Sequence, residues 1–88
     1  MFRLWGKIIK DNELKDDHVF ESDEKIESKE KLKQGLEALC YHFDIGRPMW
    51  LSDNLKEFGQ LGKTSFYEHH FVEFIDFDRF EIEIIEDK

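Results

Sequence analysis

Apolar and polar residues alternate at both ends of this chain. Near the N-terminus, Phe2, Leu4, Gly6 and Ile8 take turns with Arg3, Trp5, Lys7 and Ile9. A period of two built from aromatic and β-branched residues predicts a strand over residues 2–9. Gly6 inside it marks a bulge or a close neighbour. Lys10-Asp11-Asn12-Glu13 supplies turn residues, and a second extended stretch runs from about Leu14 to Glu21, so the N-terminus reads as a β-hairpin. At the other end, Phe80, Ile82 and Ile84 alternate with Glu81, Glu83 and Ile85, the pattern of a half-buried strand.

The middle of the chain changes period. Residues 21–31 carry alternating charge and little to bury. Then Leu32, Leu36, Leu39 and Phe43 follow at spacings of 4, 3 and 4, one helical stripe. Ser28 is the expected N-cap. The helix is expected to stop near Asp44, with Gly46 as its C-terminal cap and Pro48 just beyond. Pro48 to Leu51 reads as extended. Ser52 then caps a short helix through Leu55 and Phe58 to about Leu61, ended by Gly62, and Lys63 to Tyr67 reads as a short strand. In Glu68 to Ile75, the spacing of Phe71, Phe74 and Ile75 fits one face of a short helix better than a strand.

Charge suggests how the strands are arranged. The first strand shows Arg3 and Lys7 on its less apolar face, and the last shows Glu81 and Glu83. Side by side, they would place opposite charges across the pair, each pair worth roughly 0.2–1 kcal/mol. The expected fold is therefore α+β. A small antiparallel sheet of three or four strands has the first strand between its hairpin partner and the C-terminal strand, with two or three helices on one face.

Composition narrows the class. The 88 residues are 40% hydrophobic and 39% charged, and nine Phe, two Trp and two Tyr are enough to form one small folded domain, residues 1–88. Cys40 is the single cysteine, which excludes an internal disulfide and fits a reducing compartment. No apolar run approaches the length of a membrane span, and MFRLWGKIIK is not a secretion signal, so a cytoplasmic location is expected. The net charge is −8, with +3 in residues 1–10 and −4 in each of the segments 11–21 and 76–88. Such a surface repels nucleic-acid phosphate and favours encounter with a basic protein partner.

Candidate chemistry is sparse. Cys40-Tyr41-His42 and His69-His70 are the right residue types for a metal, at poor spacings. On a helix Cys40 and His42 are about 200° apart around the axis, and adjacent histidines diverge. His69 and Glu73, four apart on a helix, form the one feasible local pair, and there is no CxxC or HExxH. Cys40 lies beside the core stripe of the best helix, where a thiol behaves as an inert apolar group. Trp5 sits on the charged face of the first strand. It is either covered by a later segment around Pro48 to Trp50, the favoured reading, or an exposed anchor for a partner. Asp44 to Trp50, DIGRPMW, is the exposed irregular stretch with an aromatic. There Arg47, Met49 and Trp50 form a recognition surface, unless Trp50 plugs the core, which is favoured.

The stretches FRLWGKIIKDN, LCYHFDIGRPMWLSDNLKEF and FVEFIDFDRFEIEIIED together resemble a group of small uncharacterised bacterial proteins of unknown function. That resemblance implies no activity, cofactor or catalytic residue. The expected function is a non-enzymatic, cytoplasmic protein-interaction module with an acidic surface, an inhibitor or accessory factor. It binds a basic protein through Trp5, Arg47, Met49 and Trp50, needs no cofactor, and has a homodimer through a sheet edge as a further arrangement. The alternative is a small metal-binding protein or hydrolase using His42, His69, His70 and Cys40.

Overall fold

The structure is a computed structural model and describes residues 1–87; Lys88, counted above in the C-terminal charge, lies outside the described residues. Strand β1 (Phe2–Lys10) turns through Asp11 and Asn12 into β2 (Glu13–Ser22). Both turn residues have positive φ, 54° and 64°, and Lys10 pairs with Glu13 across them. Two successive left-handed residues make a tight hairpin whose twist matches that of its strands. Helix α1 (Ser28–Phe43), helix α2 (Ser52–Leu61), strand β3 (Lys63–Phe66) and strand β4 (Arg79–Asp87) follow, with a 3-10 turn at Glu68–His70. The sheet order is β2-β1-β4-β3, and every neighbouring pair is antiparallel. The N-terminal strand is therefore central, between its hairpin partner and the C-terminal strand, in the α+β architecture the sequence predicts.

The register explains the charge pattern. On the face away from the helices, Arg3 lies opposite Glu21 and Glu86, and Lys7 opposite Asp17 and Glu81. Arg3 pairs with Glu21 at 2.9 Å and Glu86 at 3.3 Å, and Lys7 with Glu81 at 2.7 Å and Glu83 at 3.1 Å. Trp5 stands between these rungs. Its indole Nε1–H donates to Asp17 at 2.9 Å, and the Lys7 ammonium lies 3.9 Å from the ring centre. The segment around Pro48 to Trp50 does not cover Trp5, because Trp50 packs on the opposite, helix-bearing face against Phe58 and Phe66. Half-burial by its own strand neighbours replaces the expected cover.

The inner face is apolar. Phe2, Leu4, Ile8, Phe80, Ile82 and Phe66 from the sheet meet Leu36, Leu39 and Cys40 from α1 and Phe71 from the following loop. Two glycines set how closely α1 approaches. A Cβ on Gly6 would sit 2.9 Å from a Leu39 methyl, and one on Gly35 would sit 2.9 Å from the Phe20 ring. Gly6 thus marks a close neighbour. The irregularities in pairing lie elsewhere, between Ile8 and Ile9 against β2 and between Arg3 and Leu4 against β4.

Several local expectations are corrected. α1 stops at Asp44 as expected, but Asp44 itself, in the left-handed conformation (φ 56°), and not Gly46, forms the cap. Asp44 N–H donates to the Tyr41 carbonyl and Ile45 N–H to the Cys40 carbonyl, the pair of hydrogen bonds that closes a helix C-terminus. Aspartate tolerates this region better than most side chains do. Ser28 and Ser52 are the first helical residues; Glu27 and Leu51 hold the cap positions. α2 is rotated from its apolar pattern, so Asn54 is buried and Leu55 is 62% exposed. Asn54 binds three groups at once. Its amide donates to Thr64 Oγ1 at 2.9 Å and to the Ser65 carbonyl at 3.0 Å, and its Oδ1 accepts the Leu51 N–H. Finally, the helix expected over Glu68 to Ile75 is a single turn that ends at His70.

Candidate functional site

The turn ends early because His70 closes it. The Tyr67 N–H donates to His70 Nδ1 at 2.9 Å, and the His70 carbonyl accepts the Met49 N–H at 2.7 Å. His70 is buried against the Phe66 ring. Desolvation lowers its pKa, and the neighbouring His69 lowers it further. An Nδ1 that accepts a backbone N–H must be unprotonated, so this imidazole is a neutral structural group. Phe71 then leaves the turn extended (φ −111°, ψ 140°) and enters the core, where Phe77 meets it edge-on at 5.9 Å. Residues 72–76 consequently form a loop between the buried Phe71 and the half-buried Phe77, with only Ile75 turned partly inward. Val72 and Phe74, at 89% and 87% exposure, are among the most exposed large apolar side chains described.

This loop faces the connection after α1. Between them runs a groove of about 650 Å³. Its apolar walls include Ile8, Phe43, Ile45, Phe71, Ile75 and Phe77. Asp44, Glu73 and Asp76 carry its negative charge against the single cation Arg47. Glu73 reaches across it, since a Cβ on Gly46 would lie 3.3 Å from the Glu73 Oε1. Residues 68–78 hold Glu68, Glu73, Asp76 and Asp78 and no lysine or arginine. The outer sheet face is nearly balanced by contrast, with Asp17, Glu21, Glu81, Glu83 and Glu86 set against Arg3, Lys7, Lys63 and Arg79. Much of the unbalanced negative charge of this protein therefore lies at the loop end.

A second, smaller groove of about 370 Å³ lies between α1 and α2. Leu32, Leu36, Pro48, Trp50 and Leu55 form an apolar lining, and Lys29, Lys33 and Arg47 are the charged groups beside it. Arg47 pairs with Glu37 at 2.9 Å and borders both grooves.

The sequence-predicted residues are thus dispersed. Arg47 and Trp50 share the smaller groove. Met49 is half-exposed beside them, and its backbone is tied to His70. Trp5 lies on the other side of the sheet. His69 and Glu73 do not form the expected helical pair, because the turn ends between them and the Glu73 carboxylate lies by Gly46. Cys40 is buried, and desolvation raises its pKa to about 11, so the thiol stays protonated at neutral pH. His42 stacks on His18 of β2 with ring centres 3.9 Å apart, while His69 and His70 form a separate pair at 4.1 Å. Among the described residues, no group of three or more His, Cys, Asp or Glu side chains is placed to hold a metal ion. No helix among them is long and apolar enough to cross a membrane.

Comparison with known proteins finds no matching family model, no matching curated protein and no matching solved structure. The functional reading rests on the geometry alone.

Proposed function

We propose that this chain is a non-enzymatic, cytoplasmic protein-interaction module, and that it acts as an inhibitor or accessory factor by holding a basic, partly apolar segment of a partner protein. The observation that carries this reading is the pair Val72 and Phe74, held in water on the lip of a groove lined by Asp44, Glu73 and Asp76. Exposed apolar side chains rimmed by charge mark interaction surfaces. A lysine or arginine side chain suits such a groove: its stem packs on Phe43 and Phe77 and its head meets the carboxylates. The surplus of acid at this end also draws a basic partner in. The recognition residues are thus Asp44, Glu73, Phe74 and Asp76 with Arg47, and the loop after β3 supplants Trp5 and Trp50 as the centre of the surface.

Two-dimensional NMR with amphipathic peptides tests this. One set alternates lysine and leucine; a matched set carries glutamate for lysine. The lysine peptides are expected to shift amides of residues 43–47 and 71–77, and the glutamate peptides to leave them unmoved. A Phe74→Ser, Glu73→Gln double variant should bind roughly tenfold or more weakly, as loss of an anchoring aromatic and a charge does. Equal response to both peptide sets, or shifts confined to other surfaces, overturns the reading.

A further inference from the structure

We infer that this protein also binds a second copy of itself, the loop 72–76 of each chain seated in the α1/α2 groove of the other. This goes beyond the partner reading above and does not depend on it. The two surfaces are complementary in both polarity and charge. The loop offers Val72 and Phe74 with Glu73 and Asp76 beside them. The groove offers Leu32 and Leu55 above a floor that includes the largely buried Leu36, with Lys29 and Lys33 at its edge. Among the described residues neither lysine has a carboxylate within ion-pair distance, so both charges are available to a carboxylate from outside. On a chain of net charge −8, this groove puts cations beside apolar surface with no acid in its lining.

Spacing agrees as well. Val72 and Phe74 are two residues apart on the exposed loop, close enough to enter one groove together. Leu32 and Leu36 are one helical turn apart on α1, a rise of about 6 Å. Two apolar knobs thus meet Leu32 at the rim and Leu36 at the floor of the groove, with Lys29 and Lys33 at its edge to meet the acids of the loop. The exposure of Leu55 is accounted for in the same way. Asn54 takes the place on α2 that faces the sheet, and this turns Leu55 out to the groove.

The loop-to-groove contact is compatible with a closed, isologous dimer. Both surfaces adjoin Arg47. A two-fold axis passing near Arg47 pairs each loop with the other chain's groove, giving a dimer with two equal contacts rather than an open filament. Such a dimer covers Phe74 and would compete with a basic partner for the loop.

Sedimentation equilibrium of the full chain, from low micromolar to millimolar concentration, tests this. A monomer–dimer equilibrium that weakens at high salt is expected. Phe74→Ser and Leu55→Gln should each weaken it at least about tenfold. Both sites are exposed, and unchanged melting temperatures would show that the variants fold. Lys33→Glu is a second groove variant that removes no apolar contact and should act in the same direction. An equimolar mixture of Phe74→Ser with Leu55→Gln retains one sound loop–groove contact, so it should dimerise more strongly than either variant alone. A protein monomeric at all concentrations overturns the inference. So does a dimer indifferent to Leu55 and Lys33, which would show pairing through the loop alone or a sheet edge, and so does growth beyond the dimer.

Discussion

Asp44 is where local backbone preference and the proposed site pull in different directions. Its left-handed conformation (φ 56°) is one that glycine adopts without strain. Left-handed backbone costs an L-residue roughly 1–2 kcal/mol, and glycine gives back about 0.5–1 kcal/mol in unfolded-state entropy. Asp44→Gly should therefore stabilise the fold by about 0.5 kcal/mol, read by urea denaturation. If the acidic groove holds a basic segment, the same variant should bind lysine peptides several-fold more weakly. Greater stability with unchanged peptide affinity would remove Asp44 from the site. His70 is the complementary case, a histidine whose role is structural. Its pKa is lowered by burial first and by His69 second. The unfolded imidazole then binds a proton more readily than the folded one in the interval below the ordinary value of 6.5. That contribution to stability is complete above this value and is lost as pH falls below it. His70→Asn keeps an acceptor for the Tyr67 N–H and does not titrate, so its stability should change little across that interval while the parent's falls.

Elements are placed here by small residues as much as by large ones. α1 rests on β1 because Gly6 leaves room for Leu39, itself fully buried. Gly6→Ala puts a methyl 2.9 Å from a side chain with nowhere to move. Overpacking of this kind costs about 1–3 kcal/mol, partly offset by the loss of glycine's backbone entropy. A net loss of about 1–2 kcal/mol is expected. At Gly59, in α2, an added Cβ would meet nothing within 4 Å. Gly59→Ala should gain about 0.5–1 kcal/mol from helix propensity. Opposite signs for these two substitutions, measured together by chemical denaturation, would confirm that α1–β1 spacing is set at Gly6. α2 shows the same principle with polar groups. Asn54 joins the start of α2 to β3 through Thr64 and Ser65, and that network, not the apolar count of the helix, decides which face turns inward.

At the scale of the whole molecule, charge divides the surface into a paired part and an unpaired one. The outer sheet face is a ladder that satisfies itself. Burial opposes the ionised forms of Lys7 and Glu81, but their mutual hydrogen bond and attraction outweigh it, raising the lysine pKa and lowering that of Glu81. The stabilisation from Glu81 is present above the ordinary carboxylate value of 4.5 and is lost as pH falls through its lowered folded value. Acid should thus weaken the fold in two stages, His70 first and Glu81 second, and only the first should vanish in His70→Asn. The loop end keeps its acids unbalanced and Val72 and Phe74 exposed, features of a recognition surface that the ladder lacks.

How much of this was legible in the chain depends on the range of the interaction. Alternation over 2–9 and 80–85, the Asp11-Asn12 turn and the Leu32 to Phe43 stripe are local signals, and they predicted the hairpin, the main helix and the last strand. The complementary charges of Arg3, Lys7, Glu81 and Glu83 extended this to a long-range pairing, because a strand's register turns sequence parity into a shared face. Three features were beyond such rules. A helical reading of Phe71, Phe74 and Ile75 was locally sound, but Phe71 pairs with Phe77 in the core and leaves Phe74 in water. Leu55 was the natural inward residue of α2 until Asn54 found three partners on β3 and the preceding turn. Both grooves join segments far apart in the chain, and only the packing around Arg47 brings them together. The sequence by itself determined most of the elements and the β2-β1-β4 part of the sheet, since those rest on periodicity and nearest-neighbour chemistry. The tertiary structure alone decided which apolar and acidic residues stay outside, because exposure depends on which partners the core has already filled.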